Sequence, residues 1–101
     1  MTRNNENVWF NFLKQVSNDR RLNVWHLALL SGLVQIALGQ NETTIVHVSR
    51  SRLMAVSHIN NLMTYHKYFK QIQDMGYVKY RPSYHPGYRS TVEFLTLTFL
   101  Q

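Results

Sequence analysis

Cysteine is missing from all 101 residues. That removes disulfide scaffolds and every thiolate metal site, and it suits a reducing compartment. A chain of this length can close a core without such staples. Acids are nearly as scarce: Glu6, Asp19, Glu42, Asp74 and Glu93 are the full set, scattered along the chain. No nucleophile, base and orienting group can be assembled from residues so placed. Nor do the four glycines form a phosphate-cradling loop. The chain therefore reads as a non-enzyme. Its histidines (His26, His47, His58, His66 and His85) include no i, i+4 pair and no carboxylate-flanked pair, so neither a metal nor another cofactor is implied. The most hydrophobic run, Leu27 to Leu38, is 12 residues long, short of the roughly 20 that span a bilayer. The opening MTRNNENV lacks the basic-then-apolar layout of a secretory signal. A cytoplasmic chain without membrane contact is expected, and no small-molecule ligand is evident from the sequence.

What is present is apolar and basic. A hydrophobic content of 45% over this length fits one domain spanning 1–101. Formal net charge is +6, and its placement says more than its size. Residues 49–90 hold Arg50, Arg52, Lys67, Lys70, Lys79, Arg81 and Arg89 against Asp74 alone, a local net of +6. Residues 1–48 contribute +1 and residues 91–101 contribute −1. Solubility does not require such segregation, whereas a polyanionic partner does.

Residues 60–78, NNLMTYHKYFKQIQDMGYV, organise the remainder. Tyr65, Phe69 and Ile72 recur at helical spacing and predict a buried stripe. Asn60 or Asn61 can cap the helix start, and Gly76 can end it in the left-handed conformation. The opposite face is expected to carry Asn61, Thr64, His66, Lys67 and Lys70. Upstream, 5–16 reads as a helix with Val8, Trp9, Phe12, Leu13 and Val16 inward and Phe10 off that face. Residues 17–23 break the chain. Residues 23–40 read as a central buried helix whose weak stripe, Ala28, Ser31, Gly32, Gln35 and Gly39, admits another backbone. Residues 43–49 are β-branched and predict a short strand. Ser49 can cap the next helix, 50–57, with Leu53 and Val56 inward, and Ile59 plugs the turn that follows. The segment 77–97 predicts a β-hairpin, Tyr77–Arg81 and Thr91–Leu97. Pro82 confines the first strand's end to an edge, and Pro86-Gly87 favours a turn at the tip.

The order helix, strand, helix, helix, strand, wing, strand resembles that of winged helix-turn-helix proteins. The fold class expected is thus α+β, mainly α, with a small three-stranded antiparallel sheet. Tyr65-x3-Phe69-x2-Ile72-x3-Gly76-Tyr77-Val78 resembles the end of that family's recognition helix. Residues 48–86 look more particularly like small winged-helix proteins of bacterial conjugative and mobilisable elements. DRRLNVWHLALLSGL is similar to the first helix of that group and of the winged domain in plasmid and phage replication initiators. The chain departs from the pattern in its short wing and in a turn, His58-Ile59-Asn60, without the usual Gly or Ser.

The resemblance implies a duplex-DNA site. On the recognition helix, Asn61 would pair with adenine, Thr64 would touch a base edge or thymine methyl, and Lys67 would donate to guanine. His66 would read a base or donate to phosphate, and Lys70 would hold the backbone. Arg50 and Arg52 would grip a flanking phosphate strand, while Arg81, Arg89 and Tyr88 (or His85) would let the wing reach backbone or minor groove. The expected function is sequence-specific DNA binding as a transcriptional regulator or accessory factor of a mobile element. The alternatives are the DNA-binding part of a replication initiator and a winged-helix protein-interaction module. Because one recognition helix reads only a few base pairs, a homodimer is a natural partner state. Residues 5–16 and the small-residue face of 23–40 are its candidate interfaces.

Overall fold

The structure, a computed structural model, describes residues 2–42, 44–85 and 89–95, with side chains from residue 7 onward. Four helices and a three-stranded antiparallel sheet follow in the order α1 (Thr2–Ser17), α2 (Val24–Gln40), β1 (Ile45–Val48), α3 (Arg50–Ser57), α4 (Leu62–Asp74), β2 (Val78–Arg81) and β3 (Ser90–Phe94). This is the α+β, mainly helical winged-helix layout that the sequence pattern predicts. Helix α1 begins three residues earlier than the apolar periodicity indicates, since its polar first turn carries no periodic signal. The last strand ends at Phe94; Leu95, where the sequence pattern continues the strand, forms a bend, and the rest of that expected strand, 96–97, lies outside the described residues.

Local chemistry sets most boundaries. Asn23 opens α2 with a capping box: its side chain accepts from the Trp25 and His26 N–H groups, while its own N–H donates to His26 Nδ1 at 2.9 Å. With Nδ1 accepting, the proton of neutral His26 belongs on Nε2, which donates to Gln71 Oε1 of α4 at 2.6 Å. One buried imidazole thus caps α2 and ties it to α4. Asn41 closes α2 in the left-handed region at φ 56°, and Gly39 remains helical. Ser49 caps α3 by accepting from the Arg52 N–H at 3.2 Å. Gly76, at φ +85°, follows the end of α4 as expected.

Helix α2 is the hub, packing against α1, α3, α4 and β1. Leu29, Leu30, Leu33 and Ala37 are fully buried. A helix covered on most sides shows no single apolar stripe, which is why the periodic α4 stands out in sequence and α2 does not. The sheet order is β1-β3-β2. Val46, Val48, Val78, Val92 and Phe94 turn inward, where Phe94 meets Trp9 and Phe12 of α1 edge-on, ring centroids 4.6 and 5.3 Å apart. Phe10 is 68% exposed, off the packed face as its position indicates. Strand β1 lies at a sheet edge, and the Gln40 amide blocks it, donating to the His47 carbonyl at 2.7 Å and accepting from its N–H at 3.0 Å.

Candidate nucleic-acid interface

The α3–α4 turn is built by His58 and Ile59. His58 adopts the left-handed conformation at φ 59° that a glycine would ordinarily supply. Ile59 is buried between the two helices, the plug its position predicts. With that turn fixed, α4 buries Tyr65, Phe69 and Ile72. At about 3.6 residues per turn, Met63, Lys67, Lys70 and Asp74 face away from that stripe, and Thr64 and His66 fall on opposite flanks.

The four residues expected to read bases are therefore not equivalent. His66 and Lys67 are exposed, and Thr64 is half-buried. Asn61 is the helix cap: its Oδ1 accepts the Thr64 N–H at 3.0 Å, and its amide N–H groups are free to donate. Lys67 Nζ lies 5.2 Å from the centre of the Tyr68 ring, which stacks on Trp25 of α2.

On the other flank, His66 and Lys70 meet Arg50 and Ser51 of α3 and Arg89 before β3 around an open cleft of about 740 Å³. The register explains the meeting. Val48 pairs with Ser90, so Arg89 lies beside the chain entering α3. Tyr65, Phe69 and Tyr80 give the cleft an aromatic lining, with successive ring centroids 5.4 and 5.3 Å apart. Burial pushes the Tyr65 hydroxyl up to about 12, aided by Tyr80 and opposed by Arg50. Among the described residues no carboxylate lines the cleft. A second hollow of about 460 Å³ adjoins it through Ser49 and Arg89 and reaches Arg52 and His47.

The cations divide by partner. Among the described residues no carboxylate comes within ion-pairing distance of Arg50, Arg52, Lys67 or Arg89. Lys70 pairs with Asp74 one turn on, at 3.0 Å, with both side chains largely in solvent. Such a pair contributes only about 0.3–0.5 kcal/mol and yields readily to a phosphate. Arg81 projects from the solvent face of the sheet, where Lys79 and Glu93 also lie, and pairs with Glu93 at 3.1 Å. It is separated from the cleft that Tyr80 lines. Tyr88 lies outside the described residues.

No family model, curated protein or solved structure matches the chain. Among the described residues no helix is long and apolar enough to cross a membrane, and no three His, Asp or Glu side chains gather as metal ligands do.

Met63, which no charge or hydrogen-bonding group marks out in the sequence, is 82% exposed on the outward side of α4. Its spacing of three and four residues from His66 and Lys67 is the signal that could have found it. Tyr65 and Tyr80 carry no sequence sign of lining a cleft, because both look like ordinary core or strand aromatics.

Proposed function

We propose that the chain binds double-stranded DNA in a sequence-specific manner, acting in the bacterial cytoplasm as a transcriptional regulator or accessory factor of a mobile genetic element. The observation that carries this reading is the convergence of Arg50, His66, Lys70 and Arg89, from α3, α4 and the approach to β3, on one cleft that no described carboxylate lines, beside the exposed ridge of α4. A duplex is the polyanion whose curvature matches a protruding helix flanked by cations.

In this reading α4 enters the major groove with Met63, His66 and Lys67 foremost. Lys67 donates to guanine acceptors, and Met63 offers apolar contact to a thymine methyl. Asn61 donates from its amide, and its oxygen, which already accepts the Thr64 N–H, keeps a second lone pair for an adenine amino group. Arg50, Arg89 and Lys70 bind phosphates and set the register of the helix in the groove. A homodimer would double the few base pairs read by one helix. Gly32 is covered by α3, so Ser31, Gln35 and Gly39 remain as the open part of the small-residue stripe on α2.

Selection of bound DNA from a random pool tests the proposal and reports site, symmetry and spacing together. A preferred sequence should emerge, with affinity falling steeply as salt rises, by roughly 0.9 in the log–log slope per neutralised phosphate. No retention of any fragment at moderate salt would remove the reading. It would favour a protein-interaction module, for which exposed Phe10 and Trp25 are the anchors.

A further inference from the structure

The cleft beside the start of α3 is larger and more aromatic than a backbone phosphate needs. Its volume of about 740 Å³ lies within the roughly 300–1,000 Å³ of small-molecule pockets. Its cationic rim and aromatic lining separate charge from apolar surface, as the site for an amphipathic anion does. Tyr65 supplies an independent pointer. The residue is 4% exposed and lines the cleft, yet its hydroxyl has no hydrogen-bond partner among the described residues. The groups acting on that hydroxyl, Arg50 and Tyr80, line the same cleft. With its ionisation pushed up to about 12, it is a protonated donor at neutral pH. A buried donor without an acceptor is costly, and an anionic oxygen placed there removes that cost. The first-turn N–H groups of Arg50 and Ser51 have no acceptor within α3 and add donors at the same end.

We propose that this cleft binds a small anion with a planar apolar body, an aromatic phosphate or carboxylate. Its charge sits between Arg50, Arg89 and the Tyr65 hydroxyl, and its ring lies against Phe69 and Tyr80. The binding itself does not depend on the DNA reading; only its consequence does. An anion that occupies Arg50 and Arg89 competes with the phosphate backbone, so the ligand and DNA weaken each other's binding by the same factor.

The test is calorimetric titration of the full chain, without DNA, using phenyl phosphate, benzoate and inorganic phosphate. Saturable one-to-one binding of phenyl phosphate or benzoate is expected, and the tighter of the two names the headgroup. Inorganic phosphate, which lacks the ring, should bind roughly tenfold or more weakly. Tyr65→Phe should weaken the aromatic anion roughly tenfold or more while keeping or raising the melting temperature, since it removes an unpartnered buried hydroxyl. Lys79→Ala, on the far face of the sheet, removes a charge without touching the cleft and should bind as the parent does. The proposal is overturned if neither aromatic anion saturates, if inorganic phosphate binds equally well, or if Tyr65→Phe binds undiminished. DNA retention, assayed separately without ligand, reports on the DNA reading alone, so the two can fail independently.

Discussion

Ser57 closes on the bare backbone of Gly32: a Cβ built there would stand 2.8 Å from Ser57 Oγ and 3.0 Å from Val56 Cγ2. The small-residue stripe of α2 thus admits a neighbouring backbone as its composition predicts, and at Gly32 that neighbour is α3 of the same chain. Ser57 cannot simply turn aside, because it is buried and its hydroxyl donates to the Leu53 carbonyl at 2.5 Å. Helix propensity favours Ala over Gly by about 1 kcal/mol, whereas overpacking costs about 1–3 kcal/mol. The clash should win. Gly32→Ala is expected to lose roughly 1 kcal/mol, and at most about 2, by urea unfolding, and a raised midpoint would show that α3 moves off without penalty.

His58 gives the opposite prediction. A left-handed conformation costs a non-glycine residue about 1–2 kcal/mol, and the His58 side chain is exposed, so little burial offsets it. Glycine removes the strain but brings more unfolded-state entropy, about 0.5–1 kcal/mol. His58→Gly should therefore stabilise the domain by roughly 0.5–1 kcal/mol, read as a higher urea midpoint at unchanged m-value. Asn41, at a similar φ of 56°, should gain less, since Asn tolerates that region better. The turn without a small residue is then a strained version of the expected turn, not a different one.

These two sites show where sequence reading succeeds and where it stops. The Ser49 cap, the Ile59 plug and the Gly76 stop are local signals, each decided within a few residues, and the elements they bound were legible. The cleft was not. It exists because β3 lies between β1 and β2, which brings Arg89 beside Arg50 across some 40 residues of sequence. Charge counting placed the cations in the right half of the chain, but could not separate Arg50 and Arg89, which converge, from Arg81, which pairs with Glu93 on the other face. Tyr65 was legible as part of a buried stripe. That it also lines a cleft depends on neighbours contributed by α3, β2 and the entry to β3.

The Asp19–Tyr77 contact predicts an acid limb. Asp19 accepts from the Arg21 guanidinium at 2.7 Å and from the Tyr77 hydroxyl, fastening the α1–α2 turn to the start of the hairpin. Arg21 first, then Tyr77, holds the Asp19 carboxyl well below the usual carboxylate range. A depressed folded-state value means that the stabilisation is present above the unfolded value, roughly pH 4, and is lost as pH falls toward the folded one. Asp19→Asn should therefore be less stable than the parent at pH 7, with the gap shrinking below about pH 4. Tyr77→Phe should cost about 1–2 kcal/mol at pH 7 but keep most of the acid limb, because Arg21 still holds the carboxylate. Parallel urea titrations at pH 7 and pH 3 separate the two, and a constant gap for Asp19→Asn would refute the linkage.

The division of the cations yields the sharpest prediction for DNA. If Arg50 and Arg89 each neutralise a phosphate, replacing either by Ala should lower the magnitude of the log–log salt slope by roughly 0.9 and weaken specific and random duplex alike. Arg81→Ala should leave the slope unchanged, since that side chain projects from the far face and is engaged with Glu93. Lys67→Ala should behave differently from all three, weakening the selected site far more than random sequence, because a base contact discriminates by about 1–3 kcal/mol and a phosphate contact does not. Lys67 carries no carboxylate partner among the described residues and sits around the helix from the cleft, so its loss leaves the phosphate contacts standing. Binding measured at several salt concentrations on both duplexes distinguishes the outcomes. An equal loss for Lys67→Ala on specific and random DNA would reduce α4 to a non-specific electrostatic surface, and a slope change for Arg81→Ala would put the wing's far face against the duplex instead of the cleft.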